Sequence, residues 1–396
     1  MSIPEPVTRA LSADQQPAIL NPQQAGHILR PSQRLIMRFL FLAASALGMA
    51  IPAWGWGKEG HRMTATIAQI HLLPSAHRAV CSILDKDFNC SLASVATWPD
   101  DVRRTKEWGW SRTLHFVNGI DDKPPKECSF GTKGWVLPSD FHILSAVVDM
   151  TRRVHTLNSD GRNYSLSFLT HFLGDIHQPL HLTGHYAGGN GVPVLFGERS
   201  ISLHKVWDDD LVWQRIESAK SNGYSHALQT SPGSDPALGR NRQIEAALNG
   251  LNYDPLIRWI VSEGIDRRWA SQVREWITCP PLAITGRVDQ QTMGSDAPPF
   301  NDPTDLPVCP YPWAKASHQM LCDFIWRPDL EGVEDMKIVV DRIQLNTPEY
   351  AGQVGERKII EEQIAKGGLR LAVALNTILG SEEEKQAFGL LFGVDF

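Results

Sequence analysis

Beyond residue 57, the 396-residue chain has no uncharged apolar run approaching the roughly 18–20 residues that span a bilayer. It also has no Cys-x-x-Cys pair, which argues against a thiolate zinc site, and no visible repeat period. Excess positive charge is missing too: 38 Lys and Arg against 44 Asp and Glu leave a formal −6, which excludes a broad basic surface for duplex DNA. An anionic substrate would have to be attracted by metals or a few arginines. What is present is a core-forming composition, with 42% hydrophobic residues, 13 Trp and 14 Phe, which rules out a disordered chain.

The first 55 residues differ from the rest. Residues 1–36 are polar and aperiodic and read as a disordered N-terminal extension. Met37-Arg38 then opens FLFLAASALGMAIPAWG, a positive residue before an apolar stretch too short to span, ending in the small pair Ala53-x-Gly55. This is the pattern of a secretory signal peptide over 37–55, cut after Gly55. The leader carries Arg9, Arg30, Arg34 and Arg38 against Glu5 and Asp14, so its removal takes the formal charge from −6 to −8. All six cysteines (Cys81, Cys90, Cys128, Cys279, Cys309, Cys322) lie beyond it, an even number as an oxidising compartment expects. Asn89-Cys90-Ser91 and Asn163-Tyr164-Ser165 are glycosylation sequons, the second the better because Cys sits at the centre of the first.

Periodicity over 56–396 points to an α-rich fold. KEGHRMTATIAQIHLLP reads as a helix stopped by Pro74. A second helix is capped by Ser139 and runs through Val154, and a third spans about Tyr164 to Gln178, ended by Pro179. VPVLF between Gly-rich ends reads as a small hairpin flap. Residues 223–312 are the least periodic, with one amphipathic helical stretch around Ile257–Val273, and read as a long surface insertion. Near the C-terminus a helix is interrupted by Gly367-Gly368.

Histidines and carboxylates supply the chemistry. His171 and Asp175 stand four apart on the third helix, stacking imidazole above carboxylate, and His204 and Asp208 repeat the spacing. His181 follows the Pro179 break, His115 lies in a β-like LHFVN, Asp100 in a turn-like TWPDD, and His61 in the first helix. Each alone is an ordinary residue. Together, with no cysteine competing, they form the ligand set of catalytic zinc, and there are enough of them for more than one ion.

The strings WGKEGH (56–61), WPDDVR (98–103), LHFVN (114–118), FLTHFLGDIHQPLH (168–181), GGN (188–190), LHKVWDDDL (203–211) and IAKGGLRLA (364–372) resemble, in order and spacing, the three-zinc nuclease family of nucleases S-one and P-one. The resemblance covers 56–396 apart from the 223–312 region. It implies a single all-α domain, of the phospholipase C and P-one nuclease type, with a small β-hairpin flap. It also implies three Zn2+. One is held by Asp100, His115, His171 and Asp175. The second is held by His61, a bridging Asp175, and the freed α-amine and carbonyl of Trp56. The third is held by His181, His204 and Asp208. A hydroxide between the first two would attack phosphorus while the third neutralises the departing 3′-oxygen.

Arg103 would clamp a phosphate oxygen, Phe116 would stack a base, and Asn118 stands where the family commonly has Asp. Cys128–Cys322 matches a family disulfide, with Cys279–Cys309 and Cys81–Cys90 following by elimination. The implied activity is a secreted single-strand-specific endonuclease and 3′-nucleotidase acting on DNA and RNA. It would be monomeric, without a stable protein partner or membrane span. A three-zinc phospholipase C and a catalytically silent zinc-stabilised binding protein are the alternatives.

Overall fold

The computed structural model describes residues 56–138, 141–157, 161–224, 226–228, 230, 236–248, 250–280, 307–330 and 343–394, which fall within one compact unit. Residues 1–55, with the expected extension and signal peptide, lie outside the described residues, as does the expected cap Ser139. Helices dominate, and the one sheet among the described residues is the antiparallel hairpin β1 (Pro193–Phe196) and β2 (Arg199–Ser202). None of the described helices is long and apolar enough to cross a membrane.

Four helices build the frame of the site. Helix α1 (Lys58–Ile70) buries Met63, Ile67 and Ile70 on its apolar stripe, and Pro74 begins the next helix instead of merely stopping this one. Short α2 (Trp98–Val102) occupies TWPDD, so Asp100 sits in a helical turn rather than a loose one. Likewise LHFVN is not a strand: a 3-10 helix over Gly109–His115 ends at His115, and only Phe116 turns extended. The residues after it bond to scattered parts of the chain, Phe116 O accepting from Ile143 N and Val117 N donating to His181 O, so the β-branched and aromatic run pairs with no neighbouring strand. Helix α3 (Ile143–Thr156) packs against α4 (Arg162–Asp175), which is buried on every side from Ser165 to Asp175.

Burying a helix all round requires each polar side chain on it to find a partner. Ser165, Ser167 and Thr170 do so locally, donating to the carbonyls of Gly161, Asn163 and Leu166. His171 and Asp175 do not turn back onto their own helix and face a shared interior cluster instead. After Asp175 the chain reverses into a 3-10 turn, Pro179–Leu182, where Gln178 Oε1 accepts the Leu180 amide at 2.6 Å and His181 is brought back toward α4.

Two regions depart from the sequence pattern. The expected surface insertion contains Asp254–Trp259, a π-helical stretch Ile260–Arg268, and α6 (Ala270–Ile277), which follow α5 (Leu211–Ser221). They bury Leu256, Ile257, Ile260, Ile265, Trp269 and Val273, so this part of the region lies in the core. The amphipathic helical stretch expected around Ile257–Val273 is present, with π turns in its middle, and its apolar side packs inward. Residues 281–306 lie outside the described residues.

Further on, α7 (Pro310–Met320) precedes α8 (Ile359–Leu379), which runs without a break through Gly367-Gly368. These glycines are a contact surface. A Cβ on Gly368 would lie 2.6 Å from Ile67 Cβ and 2.9 Å from Thr64 O, and one on Gly367 3.0 Å from Thr64 Cγ2 and 3.1 Å from Leu173 O. They let α8 lie directly on α1 and α4.

Disulfides Cys81–Cys90, Cys128–Cys322 and Cys279–Cys309 tie the periphery. The apolar tail docks: Asn376 Nδ2 donates to Leu390 O, and Phe392 N to His71 O.

Gly368→Ala pits two effects against each other. Alanine gains about 1 kcal/mol of helix propensity, but overpacking against Ile67 and the Thr64 carbonyl costs about 1–3 kcal/mol. We expect a net loss of about 1 kcal/mol or more, read as a lower urea midpoint with an unchanged slope; equal or higher stability would show that the helices separate freely.

Candidate metal centre

The cluster is built around the Asp175 carboxylate at the end of α4. Its Oδ2 lies 3.1 Å from both His115 Nδ1 and His171 Nε2, and its Oδ1 lies 3.2 Å from His61 Nε2 and 3.7 Å from His181 Nδ1. Asp100 Oδ1 approaches His115 Nδ1 and His171 Nε2 at 3.6 Å each. His61 comes from α1, its ring stacked on His171 with centroids 3.7 Å apart. Gly174 makes room for it, since a Cβ there would sit 2.6 Å from His61 Nδ1.

Beyond Asp175, His181 and His204 face each other at 5.1 Å between ring centroids, with Asp208 Oδ2 3.4 Å from His204 Nε2. Three groups of donor atoms close enough to hold a cation result: His61, His171 and Asp175; Asp100, His115 and His171; and His181, His204 and Asp208.

Metal-binding histidines have their second nitrogen fixed by a carbonyl or carboxylate, which sets the tautomer and leaves a lone pair pointing inward. Here His171 Nδ1 donates to Ala96 O at 2.7 Å, His181 Nδ1 to His115 O at 2.6 Å and His204 Nδ1 to Gly188 O at 2.6 Å. On the inner side, His61 Nδ1 and Nε2, Asp100 Oδ1, Asp175 Oδ1 and Asp208 Oδ2 are buried without a hydrogen bond. Orphaned buried donors and acceptors are costly, and a divalent cation would satisfy them together. The residues present therefore fit such ions.

The electrostatic shifts within the cluster run in both directions. Burial alone would raise Asp175, but His171, His181 and His61 outweigh it and hold its carboxyl well below the usual range. Asp100 is held down in the same way, burial being overcome by His171, His115 and Arg103. Burial drives the His115 imidazole down to about 4, against the pull of Asp175, and lowers His61 with help from His171. His171 is raised: burial opposes the charge, yet Asp175 and Asp100 prevail. Asp208 is pushed well above its ordinary value by burial, with Gln178 pulling the other way.

The remaining expected residues are placed around this centre. Arg103 is buried, its Nη2 3.3 Å from Asp100 Oδ1. Phe116 and Asn118, both half-buried, follow His115 directly, and the Asn118 side chain packs against Gly184. Trp56 is fully buried immediately before α1, and Gly57 N donates to Asp208 O at 2.9 Å, so the start of the described chain lies against the third group. Asn89 is exposed, and Asn163 half-buried in the first turn of α4.

His177 faces away from the cluster, donating from Nδ1 to Leu173 O and accepting from Arg370 at Nε2. Trp207 packs in the core and donates to the Tyr350 hydroxyl. Sequence reasoning missed Gln178, whose Nε2 donates to Asp208 Oδ1 at 2.7 Å; it lies inside the same HQPLH string. Also missed is the run Tyr186, Ala187, Gly188 and Gly189, all at positive φ, which turns the Gly188 carbonyl onto His204.

A mainly helical protein with carboxylates and imidazoles gathered into cation-sized groups is thus what the fold defines. The S1/P1 Nuclease family profile matches residues 56–252. Nuclease P1 of Penicillium citrinum is 30% identical over 339 residues, 83% of this chain and all of that protein. Endonuclease 2 of Arabidopsis thaliana is 28% identical over 82% of this chain and 91% of its own length. Nuclease S1 of Aspergillus oryzae is 32% identical over 180 residues, 44% of this chain. The chain belongs to the S1/P1 nuclease family.

Gly188 stands at φ +62°, and a Cβ there would meet Leu180 O at 2.6 Å. Gly188→Ala should displace the carbonyl that fixes His204 and weaken divalent-metal binding at the His181–His204–Asp208 group by about 10–100-fold. Competition titration with a chromophoric chelator reads this; unchanged affinity would show that the carbonyl does not orient the imidazole.

Proposed function

We propose that this chain is a secreted, zinc-dependent endonuclease that hydrolyses single-stranded DNA and RNA to 5′-nucleotides and removes the phosphate of 3′-nucleotides. The observation that carries the reading is the set of inward-facing, unpartnered donors on His61, Asp100, Asp175 and Asp208, backed by imidazoles whose outer nitrogens are already spent. Asp100, His115, His171 and Asp175 would hold one zinc. His61, Asp175 and the main chain of Trp56 would hold a second, and His181, His204 and Asp208 a third. Zinc supplies Lewis acidity toward phosphate oxygens and makes water available as hydroxide near neutral pH.

The protein's own contribution is positioning. Asp175, locked at the end of a buried helix, keeps the imidazoles of three separate segments around one carboxylate. Arg103 offers a planar fork beside Asp100, suited to a non-bridging phosphate oxygen. Phe116 and Asn118 follow His115 without a gap, so a base stacked on the ring lies next to the reacting phosphate, and the Asn118 amide can both donate to and accept from its edge.

Trp56 can ligate through its amine only once it is the first residue, because a peptide nitrogen has no lone pair to give. That supports cleavage after Gly55, with 37–55 as the signal peptide, 1–36 as an extension ahead of it and 56–396 as the nuclease domain. The family match itself begins at Trp56, and three disulfides suit an oxidising compartment. Asn163 and Asn89 would be the glycan acceptors.

Metal analysis of secreted protein, with N-terminal sequencing and assays on single-stranded DNA and phosphatidylcholine, tests this reading. Three zinc equivalents, Trp first and hydrolysis of DNA alone are expected. Asp175→Asn should cost at least about a thousandfold in turnover, since one change damages two ion positions. Asn118→Asp should alter base preference with turnover kept within a few-fold, and equal losses in both would overturn the role assignment. Chelation should lower Tm by about 5 °C or more, because the ions bind only the folded chain; an unmoved Tm would mean that the clustered donors are satisfied without metal.

A further inference from the structure

Helix α4 carries a second stripe beside the one that feeds the metal centre. Tyr164, Phe168 and Phe172 recur at four-residue spacing, so their rings line one side of the helix. Phe172 meets His115 edge-on at 5.2 Å and stacks on Phe168 at 5.3 Å. At the outer end Trp98, the first residue of α2, lies parallel to Tyr164 at 5.5 Å, Trp108 stands edge-on to both, and Trp110 reaches Phe168 at 5.6 Å. The inner rings are buried, yet Trp110 and Tyr164 remain 41% and 42% exposed.

Charge around these rings runs against that of the whole molecule. From Arg103 to Arg112 the chain has four cations (Arg103, Arg104, Lys106, Arg112) and one carboxylate, Glu107, in a protein of net −6. Arg104, Lys106 and Arg112 are exposed, and Arg112 is held against the segment by donating from Nε to Arg103 O at 2.8 Å. Helix α2 joins the two features, since it begins with Trp98 and contains Asp100 of the metal centre.

We propose that Trp98, Trp108, Trp110 and Tyr164 form a second stacking platform for single-stranded nucleic acid, a few nucleotides from the bond that is cut. Arg104, Lys106 and Arg112 attract the backbone phosphates. The proposal rests on the nuclease reading and adds to it a source of strand preference. An aromatic face accepts any unpaired base, whereas in a duplex the base faces are covered by their neighbours. Exposed rings interleaved with cations, continuous with a phosphate-cleaving centre, suit a nucleic acid strand and not an apolar protein partner.

The test uses the zinc-loaded enzyme with Trp110→Leu and Tyr164→Leu, and with Trp110→Phe and Tyr164→Phe as conservative counterparts. For a long oligothymidylate, each Leu variant should raise KM about fivefold or more with kcat retained. The Phe variants should stay near wild type, and kinetics on a 3′-mononucleotide, too short to reach the platform, should not move. Lys106→Gln should reduce the slope of log KM against log salt by about 0.7. An unchanged oligonucleotide KM in the Leu variants, or equal losses on both substrates, would overturn the platform. If the wild-type enzyme cleaves neither substrate, the nuclease reading fails. Tryptophan quenching by a phosphorothioate oligothymidylate then decides the platform separately: weaker binding by the Leu variants sustains it, and binding equal to wild type ends it.

Discussion

A single carboxylate, Asp175, at the end of a helix enclosed on every side from Ser165 onward, is the constraint around which the rest is arranged. Its two oxygens stand within 3.7 Å of imidazole nitrogens from His61, His115, His171 and His181, which arrive on four separate stretches of chain. Such a concentration of polar atoms inside an apolar core is expensive unless every lone pair is answered. The fold answers the outer nitrogens of His171, His181 and His204 with the carbonyls of Ala96, His115 and Gly188, and leaves inner donors and acceptors of the cluster without a hydrogen bond. Cations are what that arrangement is suited to receive.

Holding those stretches in register needs close helix contacts, and small residues provide them. Gly367 and Gly368 let α8 press on α1 and α4, and Gly174 gives His61 its place beside His171. The same glycines look like helix breakers in a linear reading, since glycine has poor propensity and nothing in the sequence announces a neighbour. Tertiary packing overrides the propensity here because α8 is buried over most of its length.

The placement of charge follows a related economy. An acidic chain acting on an anionic substrate needs positive potential only where the phosphate lies. Arg103, beside Asp100 of the candidate metal centre, and the short basic segment that follows it place positive charge next to α2 in a chain of net −6. Aromatic rings reach from that surface along α4 to His115, so the helix that carries His171 and Asp175 also carries part of the ring cluster.

Much of the centre was legible in one dimension. His171–Asp175 and His204–Asp208 are local pairs, and a helix converts four-residue spacing into proximity wherever it is buried. The α class, the hairpin and the family resemblance rest on similarly short-range patterns. Sequence misread His115 and Asp100 as lying in a strand and a turn because a 3-10 helix and a five-residue helix are too short to show a period. It showed the amphipathic stretch around Ile257–Val273 but took it for surface, because a one-dimensional pattern does not say what an apolar face will be packed against. That His61 stacks on His171, that Gln178 braces Asp208 and that Gly188 fixes His204 depend on contacts across 16 to 110 residues of chain. Only the packed core brings them together, because those distances close only when the helices between have found their common apolar interior.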